Sequence, residues 1–388
     1  MMEFINNNEL KIQGYCEPGF FSVLTALEKN FSEHGETGSA VCIYHKGKNV
    51  VDLWGGYQDA AQTVPWHRNT MCIFYSIAKS LCALSVHILA DRGLIDLDAP
   101  VAKYWPEFSQ KGKDTVKIRH IISHYCGVCF NDKADPGDIF DYEKMIHNLE
   151  IQDLAWKPGT KGAYNTVNIG YLAGEVVRRV SGRTIRQFIH ENICQPLNAD
   201  YKVGVDKEDL ERIADILPNP SGFSMGGKAT PGSPLARAWQ AMPKPFDVAI
   251  QNTNKFQMAG VPSFGGFGTA RAMARIYGAL ANGGTIDNVQ ILSKKALARA
   301  TTVQWEDDSD GTTGQPMCMT MGFWKNTGKL KTMGQSKEAF GHSGSGGARA
   351  LADPKHNIAL AYLTNLQSEK LGSGVRTETI VQSTFDNL

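Results

Sequence analysis

Apolar and polar positions repeat with two different periods along the chain, and the changes of period divide it into strands and helices. A helical spacing runs through 20–31, and β-prone runs follow at 40–45 and 49–54. Lys46-Gly47-Lys48 between those runs predicts a turn, and therefore an antiparallel hairpin. From 76 to 92 the pattern is helical, with Leu81, Leu84, Ser85 and Ile88 on one side and Gly93 as its stop. The stretch 117–197 reads as mainly helical, with segments at 118–124, at 168–180 closed by Gly182, and at 184–193 closed by Pro196. Residues 217–263 are rich in Pro, Gly and Ser and predict a long excursion lining or covering a site. A helix capped by Thr269 is expected over 269–281, stopped by Gly283-Gly284. Runs with β character at 319–324, 347–352 and 358–364 precede a last helix near 377–386.

Strands at both ends with helices between them predict an α/β (α+β) fold, in which an antiparallel sheet built from both chain ends is flanked by helices and carries an inserted, mainly helical lobe. The expected division is one catalytic domain over 1–388, with a sheet lobe of 1–75 and 264–388 and a helical lobe of 76–263. Ser76 then stands where the chain leaves the sheet for the helical lobe. A cleft between lobes is the usual place for a ligand.

Composition narrows the class of ligand. The chain has 388 residues, 42% hydrophobic and 20% charged, enough to bury a large core. Its 40 basic and 39 acidic residues leave a net charge of +1 with no long block of one sign, so neither nucleic acid nor a membrane is expected as a partner. A small molecule is. Residues 1–15 carry Glu3, Asn6, Asn7, Asn8 and Glu9 where a secretory signal needs a basic start and an apolar run, so a cytoplasmic location is expected. The eight cysteines are scattered and lack the spacing of a disulfide framework, which predicts buried free thiols. Cys126-Gly127-Val128-Cys129 is a lone C-x-x-C without a second pair, and no metal or cofactor is expected.

The chemistry starts at Ser76-Ile77-Ala78-Lys79. Residues three apart on a helix share a face, so the hydroxyl and the amine can meet. A shielded lysine whose pKa is depressed can take the proton of a serine nucleophile. Rival motifs are weaker in context. Gly222-Phe223-Ser224-Met225-Gly226 matches G-x-S-x-G, yet Pro218, Pro220 and Gly227 around it form neither the strand nor the helix of a nucleophile elbow. His120 and His124 have the spacing of a zinc helix but lack the glutamate beside the first histidine, so they read as core or loop-anchoring residues. Aromatic and methionine residues at 315–333 read as core packing before acyl-pocket lining.

In order along the chain stand Ser76-Ile77-Ala78-Lys79, Ile121-Ile122-Ser123-His124-Tyr125-Cys126-Gly127-Val128, Pro158-Gly159 leading to Tyr164-Asn165-Thr166, Gly174-Glu175-Val176-Val177, and Gly341-His342-Ser343-Gly344-Ser345-Gly346. This ordered set resembles the serine β-lactamase and penicillin-binding-protein superfamily, in the branch of class C β-lactamases and the β-lactamase-like (family VIII) carboxylesterases. The resemblance implies a β-lactamase/transpeptidase-like fold with Ser76 as nucleophile and Lys79 and Tyr164 managing protons. It implies an oxyanion hole from the N–H groups of Ser76 and Ser345, and substrate binding by His342, Ser343, Gly344 and Thr166.

Two positions depart from the lactamase pattern. His342-Ser343-Gly344 stands where lactamases and transpeptidases carry Lys-Thr-Gly, which replaces a fixed cation by an imidazole. Thr166 stands where the family's Tyr-x-Asn places an amide. Both weaken recognition of a lactam, so a carboxylesterase acting on small or medium acyl esters through an acyl-enzyme is the expected activity. The alternatives are a β-lactamase or D-amino-acid peptidase or amidase, an acyltransferase, and a catalytically silent binding protein on the same fold.

Overall fold

The computed structural model describes residues 3–7, 9, 11–222, 229–245, 247–326, 332–369, 374–386 and 388. Among these residues ten strands form one antiparallel sheet in the spatial order Glu3–Asn7, Ile12–Cys16, Lys48–Gly56, Gly38–His45, Ile358–Thr364, Arg349–Asp353, Phe340–Ser343, Trp324–Lys325, Met317–Met319 and Trp305–Asp307. The two chain ends meet where Ile358–Thr364 pairs with Gly38–His45, Leu360 lying opposite Ile43.

Period-two alternation makes this sheet the middle of three layers, because successive side chains point to opposite faces. Ala40, Cys42, Ala350, Ala352, Ala359 and Ala361 face one core, over which the helix Ala270–Ala281 packs. Val41, Ile43, Leu351, Ile358, Leu360 and Tyr362 face the other, covered by the helices Phe21–Glu33 and Val375–Phe385. Alanines line the side where a helix lies close, and the branched residues fill the other.

The helix Ala78–Asp91 is buried along nearly its whole length and packs against Asn168–Ser181. A helix apolar on most of its circumference belongs in an interior. The Asn168–Ser181 helix ends at Gly182 in the left-handed conformation, and Thr269 caps Ala270–Ala281 by accepting from the Ala272 N–H. Both ends follow the sequence expectation.

Several elements differ from it. Ser76 lies in a 3-10 turn, Tyr75–Ile77, ahead of the α-helix, because Tyr75 has φ +49 and cannot continue a helix backwards. Pro196 does not end the 184–193 segment: it sits in the first turn of a short helix, Gln195–Leu197, where proline is tolerated, and Asn198 at φ +49 ends the run. The run 319–324 is two strands, Met317–Met319 and Trp324–Lys325, separated by a turn. Among its described residues the excursion 217–263 holds three short helices, Pro234–Ala238, Val248–Gln251 and Asn254–Ala259, each capped by a side chain, from Ser233, Asp247 and Thr253. The helix Tyr142–Ile151, capped by Asp141, falls within the stretch that reads as mainly helical without being singled out there, and the strands Glu3–Asn7 and Ile12–Cys16 carried no sequence signal strong enough to read. Among the described residues no helix is long and apolar enough to cross a membrane, and all eight cysteines are buried and outside any disulfide.

Candidate active site

Ser76 is half-buried at the mouth of the helix, one turn from Lys79. Lys79 Nζ donates to Ser76 Oγ at 3.0 Å and to the Ser263 carbonyl at 2.9 Å. The side chain is 1% exposed, and burial brings its ammonium down from 10.5 to about 7. The left-handed Tyr75 immediately before the serine is a strained conformation for a bulky residue, of order 1–3 kcal/mol, held in place by tertiary contacts. One of them is the hydrogen bond from the Tyr75 hydroxyl to Gln251 Oε1 at 3.0 Å.

Tyr164 comes from an irregular segment, and its ring faces the same pair. Lys79 Nζ lies 5.3 Å from the ring centroid, and the Ser76 hydroxyl is close enough to the phenol to favour its charged form. Burial pushes the Tyr164 phenol up, with the Ser76 contact opposing it. The ring is stacked on His124 at 4.9 Å and flanked by His342 and Trp324, each at 6.0 Å. Asn165 turns inward, its amide donating to the Val128 carbonyl at 2.9 Å. Thr166 is 4% exposed, with a buried hydroxyl that has no hydrogen-bond partner among the described residues.

The strand Phe340–Ser343 and the turn after it form the opposite wall. A Cβ on Gly344 would come within 2.6 Å of the Phe74 carbonyl, and one on Gly346 within 2.4 Å of the Tyr75 ring. Only hydrogen at those positions lets the turn lie against the segment that carries Ser76. Ser345 is half-buried, and among the described residues neither its N–H nor that of Ser76 finds an acceptor. His342 is fully buried; its Nδ1 is 2.8 Å from the Ser343 carbonyl, and burial together with the charge of Lys79 brings the ring down to about 3. Ser343 is buried and its hydroxyl has no partner among the described residues.

Ser76, Lys79, Tyr164 and His342 therefore surround one point, with Gly344 and Ser345 at its edge. Ser224 lies outside the described residues. His120 and His124 do not form a metal pair: the helix Ile118–Ile122 ends before His124, which has φ +59, and each ring accepts a backbone N–H, from Lys117 and Asn165 respectively. The residues at 315–333 divide by face. Met317, Met319 and Trp324 pack with Tyr164 and Trp305, whereas Met321 and Phe323 belong to the main core and Met333 to the far side of the sheet. Sequence reasoning missed Ser263, which holds Lys79 by a carbonyl that carries no residue-type signal, and Asp310, whose carboxylate meets the Tyr164 N–H at 2.7 Å.

The sequence profile of the family described as Beta-lactamase matches residues 24–382. The chain is 31% identical over 366 residues to the Esterase/beta-lactamase LipL of Mycobacterium tuberculosis, covering 92% of this chain and 83% of that one. It is similar to the crystal structure of a family VIII carboxylesterase, with a TM-score of 0.89 and 34% identity over 97% of this chain and 100% of that one. A penicillin-binding-protein homologue from Caulobacter crescentus superposes with a TM-score of 0.87 and 31% identity, over the same 97% and 100%. With its two-ended antiparallel sheet and a profile match over most of its length, the chain belongs to the β-lactamase family and has the β-lactamase/transpeptidase-like fold of a hydrolase.

Proposed function

We propose that this chain is a serine hydrolase working through an acyl-enzyme, a carboxylesterase for small or medium neutral acyl esters. The observation that carries the reading is the Ser76 hydroxyl at 3.0 Å from an amine that burial brings down to about 7. With one N–H given to the Ser263 carbonyl, the neutral amine keeps a lone pair for the serine proton. Ser76 Oγ bonds to the substrate carbonyl carbon, its proton passes to Lys79 Nζ, and the carbonyl oxygen takes up negative charge between the N–H groups of Ser76 and Ser345. Collapse then breaks the bond to the alcohol oxygen, which receives a proton from the Tyr164 phenol, resupplied from Lys79. Burial favours the protonated phenol, which suits Tyr164 to donation and leaves acceptance to Lys79. Water attacks the acyl carbon, gives its proton to the same pair, and Ser76 departs reprotonated as the acid is released. The chain's own groups and water complete each step.

The preference for esters rests on charge. His342, with a pKa of about 3, is neutral at working pH and supplies no cation for a lactam carboxylate, and Thr166 supplies no amide. Lactam turnover is the second reading, favoured by the relative whose name joins both activities. A panel of p-nitrophenyl esters of increasing acyl length, nitrocefin and D-alanyl peptides decides between them. The expected result is a burst of p-nitrophenol with the esters, slow nitrocefin turnover, and a loss of at least about 1,000-fold in Ser76→Ala. Full activity in Ser76→Ala, or nitrocefin hydrolysed faster than every ester, would overturn the proposal. His342→Lys should raise the ratio of lactam to ester rates.

A further inference from the structure

The segment that carries Tyr164 has no regular secondary structure, yet its phenol must be held to within a fraction of an ångström for proton transfer. Three consecutive N–H groups are fixed by partners far away in sequence. Ala163 donates to the His124 carbonyl at 3.0 Å, Tyr164 to Asp310 Oδ1 at 2.7 Å, and Asn165 to His124 Nδ1 at 2.8 Å. The bond at Tyr164 itself comes from a carboxylate 146 residues away.

Asp310 is 3% exposed and forms the head of a tight turn. Its Oδ1 also accepts from the Thr312 N–H at 2.9 Å, and its Oδ2 accepts from the Thr313 N–H at 3.1 Å and from the Thr313 hydroxyl. The turn docks on the Tyr164 segment a second time through the Gly311 N–H and the Gly162 carbonyl at 3.0 Å. A turn needs only one arm of an aspartate to organise it. Here the carboxylate organises its own turn and also reaches out of it to the backbone of Tyr164.

We propose that Asp310 is a positioning residue for Tyr164, fixing the backbone from which the phenol projects towards Ser76 and Lys79. The inference rests on the reading of Tyr164 as the proton-transfer group. Asp310 touches neither the serine nor the lysine and acts through the tyrosine alone. Its signature is a fall in kcat with little change in KM, because a displaced phenol impairs the chemical step while leaving the substrate's binding surface in place.

The test is steady-state hydrolysis of p-nitrophenyl butyrate by four variants, with thermal melting of each. Asp310→Ala and Asp310→Ser remove the acceptor for Tyr164, and the serine hydroxyl still serves the turn, so that variant carries the test if the alanine protein does not fold. Both should lose about 100-fold in kcat with KM within about threefold. Asp310→Asn keeps an oxygen for the Tyr164 N–H and should stay within about tenfold of wild type. Thr313→Val weakens the same turn without touching the Tyr164 bond, so its melting temperature should fall while kcat holds. Wild-type kcat in Asp310→Ser, or a loss in Thr313→Val as large as in Asp310→Ser, would overturn the assignment. Tyr164→Phe, assayed alongside, separates the two ideas: normal turnover in that variant removes the role of Tyr164 itself, whereas an inactive Tyr164→Phe beside a fully active Asp310→Ser removes only that of Asp310.

Discussion

A lysine amine enclosed by protein keeps its proton only if something replaces the water it has lost. For Lys79 the replacements are the Ser76 hydroxyl and the Ser263 carbonyl, both uncharged, and the ammonium is destabilised accordingly. His124 and His342 are also held well below their ordinary 6.5, in each case first by burial and then by the Lys79 charge. On the proposed mechanism the active form is the free amine, which predominates above about pH 7, so kcat/KM should rise with pH along a limb centred near 7. A rate profile from pH 5 to 9 checks this, and a limb centred near 10 would count against Lys79 as base. Stability follows with a definite sign. Between about 7 and 10.5 the unfolded chain holds a proton on Lys79 that the folded chain has released, so stability rises with pH across that window. Lys79→Met should therefore melt higher than wild type at pH 7, with the gap narrowing towards pH 10.

At the scale of elements, the nucleophile's surroundings depend on how closely two backbone segments approach. The turn after Phe340–Ser343 lies against the Phe74-Tyr75 backbone because Gly344 and Gly346 have no side chains. Gly346→Ala would set a methyl 2.4 Å from the Tyr75 ring and push Ser345 away from Ser76. A loss of about 100-fold in kcat is expected, measured beside Gly19→Ala, whose Cβ meets nothing within 4 Å and which should be neutral. The run of small residues was legible as a place where substrate and backbone can come close, and the helix Ala78–Asp91 was legible from its spacing and its Gly93 stop. The 3-10 turn at Ser76 was not, because Tyr75 adopts its left-handed backbone under tertiary contacts that leave no mark on local propensity. The short helices of the 217–263 excursion escaped notice for a related reason. Four to six residues are too few for a period to emerge, and only their capping side chains betray them.

Across the whole molecule the two chain ends are joined by charge as well as by strand pairing. Glu36, just before Gly38–His45, meets Arg376 of the last helix at 2.9 Å and accepts from the hydroxyls of Tyr362 and Thr364 on the central strand. The pair is almost wholly buried, so removing one charge strands the other in a medium that solvates it poorly. Glu36→Gln should lower stability by about 3–5 kcal/mol in urea titration while leaving turnover per folded molecule unchanged. Equal loss of turnover and stability would show that this network also shapes the candidate site, whose Gly346 carbonyl accepts from the Ser368 N–H next to the Arg376-bound Gln367.

What the sequence determined by itself was the set of local patterns and their order: a two-ended antiparallel sheet, helices between, the Ser76 and Lys79 spacing, the position of Tyr164 and the replacement of a lysine by His342. Those features lie within a few residues of one another or in the identity of single side chains, where helix period, turn chemistry and ionisation apply directly. Tertiary structure alone decided that Ser263 holds the Lys79 amine, that Asp310 holds the Tyr164 backbone, and that His342 is buried and neutral. Burial and through-space charge set those properties, and both depend on neighbours brought together by folding from as far as 184 residues away along the chain.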